Sequence, residues 1–237
     1  MTFAVTARSS SRAADPGEGV VFASSFELKG RTAVVLGGCD GVAAAVCRLL
    51  SERGARVAIV GPDELALADL VDELRWNGAE AVGIVAERLD RADAAAMDSV
   101  RGSVIGELGP PELLFVLPGA LDNRSWQRTV DNGLTGTFLA LQAFVPTMAE
   151  AGCGAVVTLA PVGADPATNA VGGGVTALTQ HYARLFAAAG VRANVVSWTP
   201  CDSTVEDAAF AALYLASDAA ARMTATTLDV AGTLMRL

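Results

Sequence analysis

At 237 residues and 52% hydrophobic composition, the chain can bury the core of one large α/β domain. Its 17 basic and 26 acidic residues leave a net charge of -9 with no basic cluster, which repels phosphate backbones and anionic lipid and argues against nucleic acid as a partner. No apolar stretch is long enough to span a bilayer without charges, helix breakers or turn glycines, so no membrane is expected. The 4 cysteines, Cys39, Cys47, Cys153 and Cys201, lack C-x-x-C spacing and read as reduced thiols, and with the 1 histidine, His181, they complete no metal set.

Residues 1–25, with Ser9 to Ser11, Pro16 and Gly17, lack the charged start and apolar core of a signal peptide, and read as a flexible tail on a cytoplasmic protein. From 26 to 237 a single domain follows. Apolar, strand-like runs recur at Thr32 to Leu36, Arg56 to Val60, Ala81 to Val85, Leu113 to Leu117, Ala155 to Leu159, Arg192 to Val196 and Thr227 to Val230. Between them lie helical patterns, clearest in Leu134, Phe138, Leu141, Val145 and Met148 and in Val171, Val175, Leu178, Tyr182 and Leu185. Continuous strands alternating with amphipathic helices predict a doubly wound α/β domain, a seven-stranded, mostly parallel sheet covered on both faces.

The turn after the first strand, Leu36-Gly37-Gly38-Cys39-Asp40-Gly41-Val42-Ala43, is glycine-rich and opens a helix. Such a turn presents backbone N–H groups and the positive end of a helix dipole to a pyrophosphate. Gly37, Gly38, Gly41 and Val42 are therefore candidate nucleotide contacts, with Glu87 after the third strand reaching for an adenine amino group and Gly119 after the fourth. Two features oppose the reading. The second strand ends in Gly61 and Pro62 where a dinucleotide site places a ribose-binding carboxylate, leaving Asp63 out of register, and Asp40 puts negative charge in the turn itself.

Read in order, the segments Leu28-Lys29-Gly30-Arg31-Thr32-Ala33-Val34-Val35, Trp126 to Phe144, Gly190 to Val196 and Ala212 to Asp218 resemble the short-chain dehydrogenase/reductase family from about Phe26 onward. The resemblance implies a Rossmann-like fold, an NAD or NADP cofactor, and a tyrosine, lysine, serine and asparagine that together move a hydride and a proton. Aligned on Ala177-Leu178-Thr179, the tyrosine position holds Thr168 and the lysine position Gly172. The serine position falls at Ala160-Pro161, and the asparagine position at Gly133, with Asn132 one residue early. No catalytic residue is expected at any of the four.

Substitutes are scarce. Tyr182 lies fourteen residues beyond Thr168, about 21 Å along a helix, and Tyr214 sits in an apolar helical pattern. The lone lysine, Lys29, precedes the first strand and belongs at the wrong end of the sheet. His181 and Tyr182 diverge by about 100 degrees on a helix and cannot enter one cleft together. Thr158 and Thr168 keep hydroxyls able to donate hydrogen bonds. The family's polar Asn-Asn-Ala-Gly is replaced by Val116-Leu117-Pro118-Gly119, and the substrate lid shrinks to Pro200 through Thr204, so no enclosed site is expected. Gly172-Gly173-Gly174 implies either a helix starting near Val175 or close backbone packing, with a helix-to-helix contact between subunits favoured.

Three functions remain open. The first is a catalytically silent binding or partner subunit, in a homo-oligomer or a hetero-oligomer with an active paralogue. The second is a non-redox cyclase, dehydratase or isomerase of a small apolar metabolite, built on Asp122, Asn123, Arg124, Asp165, Asn169 and Asp202. The third is an atypical NAD(P)-dependent oxidoreductase.

Overall fold

The computed structural model describes residues 24–86, 93–117, 125–163, 165–199 and 203–230. Strands β1 (Thr32–Leu36), β2 (Arg56–Gly61), β3 (Ala81–Val85), β4 (Leu113–Val116), β5 (Gly154–Pro161), β6 (Val191–Trp198) and β7 (Thr227–Val230) alternate with helices α1 (Gly41–Glu52), α2 (Glu64–Trp76), α3 (Ala94–Leu108), α4 (Trp126–Val130), α5 (Gly136–Glu150), α6 (Pro166–Phe186) and α7 (Val205–Ala216). The strands form a 7-stranded sheet in the order β3-β2-β1-β4-β5-β6-β7. Every pairing is parallel, so the expected mostly parallel sheet is wholly so.

Side chains alternate across the sheet with the period of a strand. Ala33, Val35, Leu113, Phe115, Ala155 and Val157 pack under α1, α2 and α7 on one face. Val34, Leu36, Leu114, Val116 and Val156 pack under α3 and α5 on the other. Both faces of the central strands are thus dry, which is why their sequences read as unbroken apolar runs. A smaller third cluster, Ala160, Val171, Val175 and Val195, lies where α6 meets β5 and β6.

Helix starts are written in short polar residues. Asp63, Asp93, Ser125, Asp165 and Thr204 each accept a hydrogen bond from the first turn that follows, and Thr204 closes a capping box with Asp207. At the far end of α7, Arg192 of β6 ties off the helix: its guanidinium donates to the carbonyls of Leu215 at 2.9 Å, Ala216 at 3.3 Å and Ser217 at 3.2 Å, and to Met223 at 3.2 Å. Burial, followed by the nearby Arg31, pushes the Arg192 pKa below its ordinary value.

Two helical expectations need correction. Phe138 and Leu185, read as part of buried stripes, are exposed, while Leu141, Val145, Met148, Val171 and Val175 are buried as expected. Just upstream, a π-helical turn, Asp131–Thr135, joins α4 to α5. Helix α6 begins at Pro166, so its three glycines are helical and the later start near Val175 is excluded. Nearly all of the expected tail lies outside the described residues, although the Ser25 carbonyl accepts a hydrogen bond from Ala219 N at 3.3 Å.

Candidate functional site

Strand order reverses between β1 and β4, and in open α/β sheets that switch point opens a crevice at the carboxyl ends of the strands. A cavity of about 390 Å³ lies there, bounded by the β1 turn, the end of β2, Met97 of α3, the end of β4 and the start of α5. Its walls are mostly apolar, with Leu36, Val60, Met97, Val116, Leu117 and Ala140 contributing. Among the candidate contacts, Gly37 and Gly38 line it, whereas Gly41 and Val42 do not: they form the first turn of α1, with Val42 buried against the core. Glu87 and Gly119 lie outside the described residues.

The glycine turn is shaped by backbone contact. A Cβ at Gly37 would overlap the Leu117 carbonyl oxygen, so β4 and the turn touch directly, as φ of 149° also requires. At Gly61, where a ribose-binding carboxylate would project, a Cβ would stand 2.9 Å from Gly38 Cα. Backbone therefore closes that position. The N–H groups of Gly37 and Gly38 both donate to the Val60 carbonyl, at 3.3 and 3.2 Å. What remains for an anion is the first turn of α1, where the N-cap Asp40 makes no side-chain capping bond and its exposed carboxylate opposes negative charge.

Electrostatics of the cavity are one-sided. Asp40 and Asp63 line it together with Cys39, and no Lys, Arg or His is among its lining residues. Burial raises the Cys39 pKa above the ordinary thiol value, with the Asp63 and Asp40 carboxylates adding to the rise. Two polar side chains face in from the α5 side. Thr137 donates to the Gly133 carbonyl at 2.6 Å, so its hydroxyl can only accept from a ligand. Asn132 lines the cavity, while Gly133, the aligned asparagine position, is buried. Asn132, one residue before the aligned position, sits in the π-helical turn Asp131–Thr135.

The family's reaction centre is packed shut. Gly172, at the lysine position, lies so close to β5 that a Cβ would overlap the Pro161 carbonyl oxygen. Gly174 is covered by Leu134, whose Cδ1 would be 2.7 Å from a Cβ. Close packing inside the chain, against a strand and a helical turn, thus accounts for Gly172 and Gly174, while Gly173 faces open space. Ala160, at the serine position, belongs to the dry cluster with Val171, Val175 and Val195.

The retained hydroxyls are also committed. Thr179 donates to the Val175 carbonyl at 2.8 Å, so in the Thr158–Thr179 contact, also 2.8 Å, Thr158 is the donor. Both threonines are fully buried, which corrects the expectation that Thr158 is available. Thr168 is buried and bonds Asp165, whose carboxyl is held below the usual carboxylate range by the Thr168 hydroxyl and then by its backbone N–H. Asn169 clamps Gly163, accepting from its N–H at 3.2 Å and donating to its carbonyl at 2.8 Å. Asp165 and Asn169 therefore hold a loop and do not line the cavity. Asp122, Asn123, Arg124 and Asp202 lie outside the described residues.

Other candidates fall where expected. His181 is exposed, Tyr182 stacks on Phe186 at 5.8 Å, and Tyr214 packs on Phe26 at 6.4 Å with its hydroxyl donating to Met223 Sδ. Lys29 is exposed beside Gly54, before the amino ends of β1 and β2. Among the described residues no group of His, Cys, Asp and Glu can hold a metal, no disulfide forms, and no helix is long and apolar enough to cross a membrane.

Among the described residues, no carboxylate projects from Gly61 at the end of β2, residue 172 carries no side chain, and Asp40 stands in the glycine turn. The short chain dehydrogenase family model matches residues 31–214. A cis-4-hydroxycyclohexanecarboxylate dehydrogenase of Sinomonas cyclohexanicum is 32% identical over 182 residues, 70% of this chain and 72% of that protein. A D-threitol dehydrogenase of Mycolicibacterium smegmatis is 28% identical over 246 residues, 87% of this chain and 94% of that one. Among solved structures, a short-chain type dehydrogenase/reductase from Mycobacterium marinum superposes with a TM-score of 0.82 at 24% identity, over 91% of this chain and 99% of that chain.

Proposed function

Because this chain belongs to the short-chain dehydrogenase/reductase family, whose members usually bind NAD(P), we propose that it is a member that has given up hydride transfer and serves as a binding or partner subunit. The observation that carries the reading is Gly172 seated on the Pro161 carbonyl, which leaves no room for any side chain at the lysine position. Thr168, Ala160 and Gly133 add to it, since none can act as an acid or base near neutral pH. Loss of one acid/base group costs about 10² to 10⁴ in rate, and losses within a set that works together do not simply add.

The test is a turnover assay on the purified protein. NADH and NADPH oxidation is followed with a panel of ketones, and NAD and NADP reduction with D-threitol and cis-4-hydroxycyclohexanecarboxylate, the substrates named by its relatives. We expect rates at least about a thousandfold below those of an ordinary reductase. Turnover near an ordinary reductase's would overturn the reading and favour the NAD(P)-dependent oxidoreductase that the relatives' names suggest. The non-redox enzyme draws less support, because Asp165 and Asn169 are both spent on the loop before α6.

As a partner subunit the chain pairs with a second copy or with an active relative. Exposed Trp126 and Phe138, 59% and 39% accessible, support such an assembly.

A further inference from the structure

The chemistry of the cavity at the switch point disagrees with the charged cofactor its fold implies. Four observations bear on what it takes. Its walls are largely apolar and its volume of about 390 Å³ suits a small planar molecule. Among the described residues, its charged lining residues are Asp40 and Asp63. The turn amides of Gly37 and Gly38 are already bonded to Val60, and the Gly61 position cannot carry a ribose-binding side chain. Finally, Asn132 brings an amide with no hydrogen bond to the described residues, on the same α5 side as the acceptor-only hydroxyl of Thr137.

We infer that this cavity selects a phosphate-free, planar, uncharged or cationic ligand with an adjacent donor and acceptor, of the kind a free purine nucleoside presents, and rejects nucleotides. The inference rests on the reading of the chain as a binding protein. Asn132 recognises the ligand edge, because an amide can donate and accept in the same plane, as it does against the adenine amino edge. The apolar walls sandwich the ring. Asp40 and Asp63 set the selectivity: a phosphate brought to the α1 turn meets two carboxylates, a repulsion that weakens as salt rises. An uncharged ring with hydroxyls meets no such barrier.

Isothermal titration at low salt with adenosine, ADP and NAD tests the inference. Adenosine is expected to bind at least about tenfold more tightly than either phosphorylated probe. In the Asp40→Asn/Asp63→Asn double variant, the gap should narrow to about threefold or less while adenosine affinity stays within about twofold, since asparagine keeps the α2 cap. Asn132→Leu should weaken adenosine by about tenfold. ADP or NAD binding as tightly as adenosine, no heat from adenosine at millimolar concentration, or a gap unchanged in the double variant would each overturn the inference. Turnover is measured separately, so a failure here is distinct from a failure of the binding-subunit reading.

Discussion

Two neighbouring glycines on α6 have opposite consequences. Gly172 has no room for a methyl group beneath the Pro161 carbonyl, whereas Gly173 faces open space. Gly172→Ala should therefore destabilise the protein by about 1–3 kcal/mol through overpacking. Gly173→Ala should stabilise it by about 0.5–1 kcal/mol, the helix-interior preference for alanine. Urea midpoints moving in opposite directions would bear this out, and equal shifts would count against the observed seat of α6. Alignment by resemblance to the family's pattern assigns Thr168 and Gly172 to its tyrosine and lysine positions. It does not show that Gly172 touches a backbone oxygen eleven positions earlier, or that Gly61 touches Gly38, because those contacts join distant segments through the sheet.

Elements were the most legible level. The strand runs read from apolar, β-branched stretches match the seven observed strands to within one or two residues at their ends. Helical exposure was less legible: Phe138 is exposed although Leu141 and Val145 of the same helix are buried, and Asn132 lines the cavity from the π-helical turn Asp131–Thr135. Arg192 was invisible as a structural residue, since its partners are main-chain carbonyls at the end of α7. Replacing it should uncap that end and leave buried acceptors unpaired. Arg192→Met is expected to cost about 2–3 kcal/mol, read from the urea midpoint, with α7 amides exchanging earlier than those of α1. A uniform loss of protection across the sheet would argue against this local role.

For the whole molecule, composition excluded more than it identified. The net charge of -9 and the acid-flanked cavity point the same way, away from polyanions and toward uncharged ligands or other protein chains. Self-association is the measurable consequence. Sedimentation equilibrium should find a dimer or larger assembly, and Phe138→Glu should shift it toward monomer by about tenfold or more in dissociation constant, while a monomeric parent protein would remove the support that exposed Phe138 lends to a partner role. The overall architecture was readable because its periodicity repeats along the entire chain; the site was not, because it depends on sub-ångström fit at a few places. A lysine placed at residue 172 would meet backbone, so helix α6 would have to lift before any such side chain could be seated there, and a single substitution could not install one.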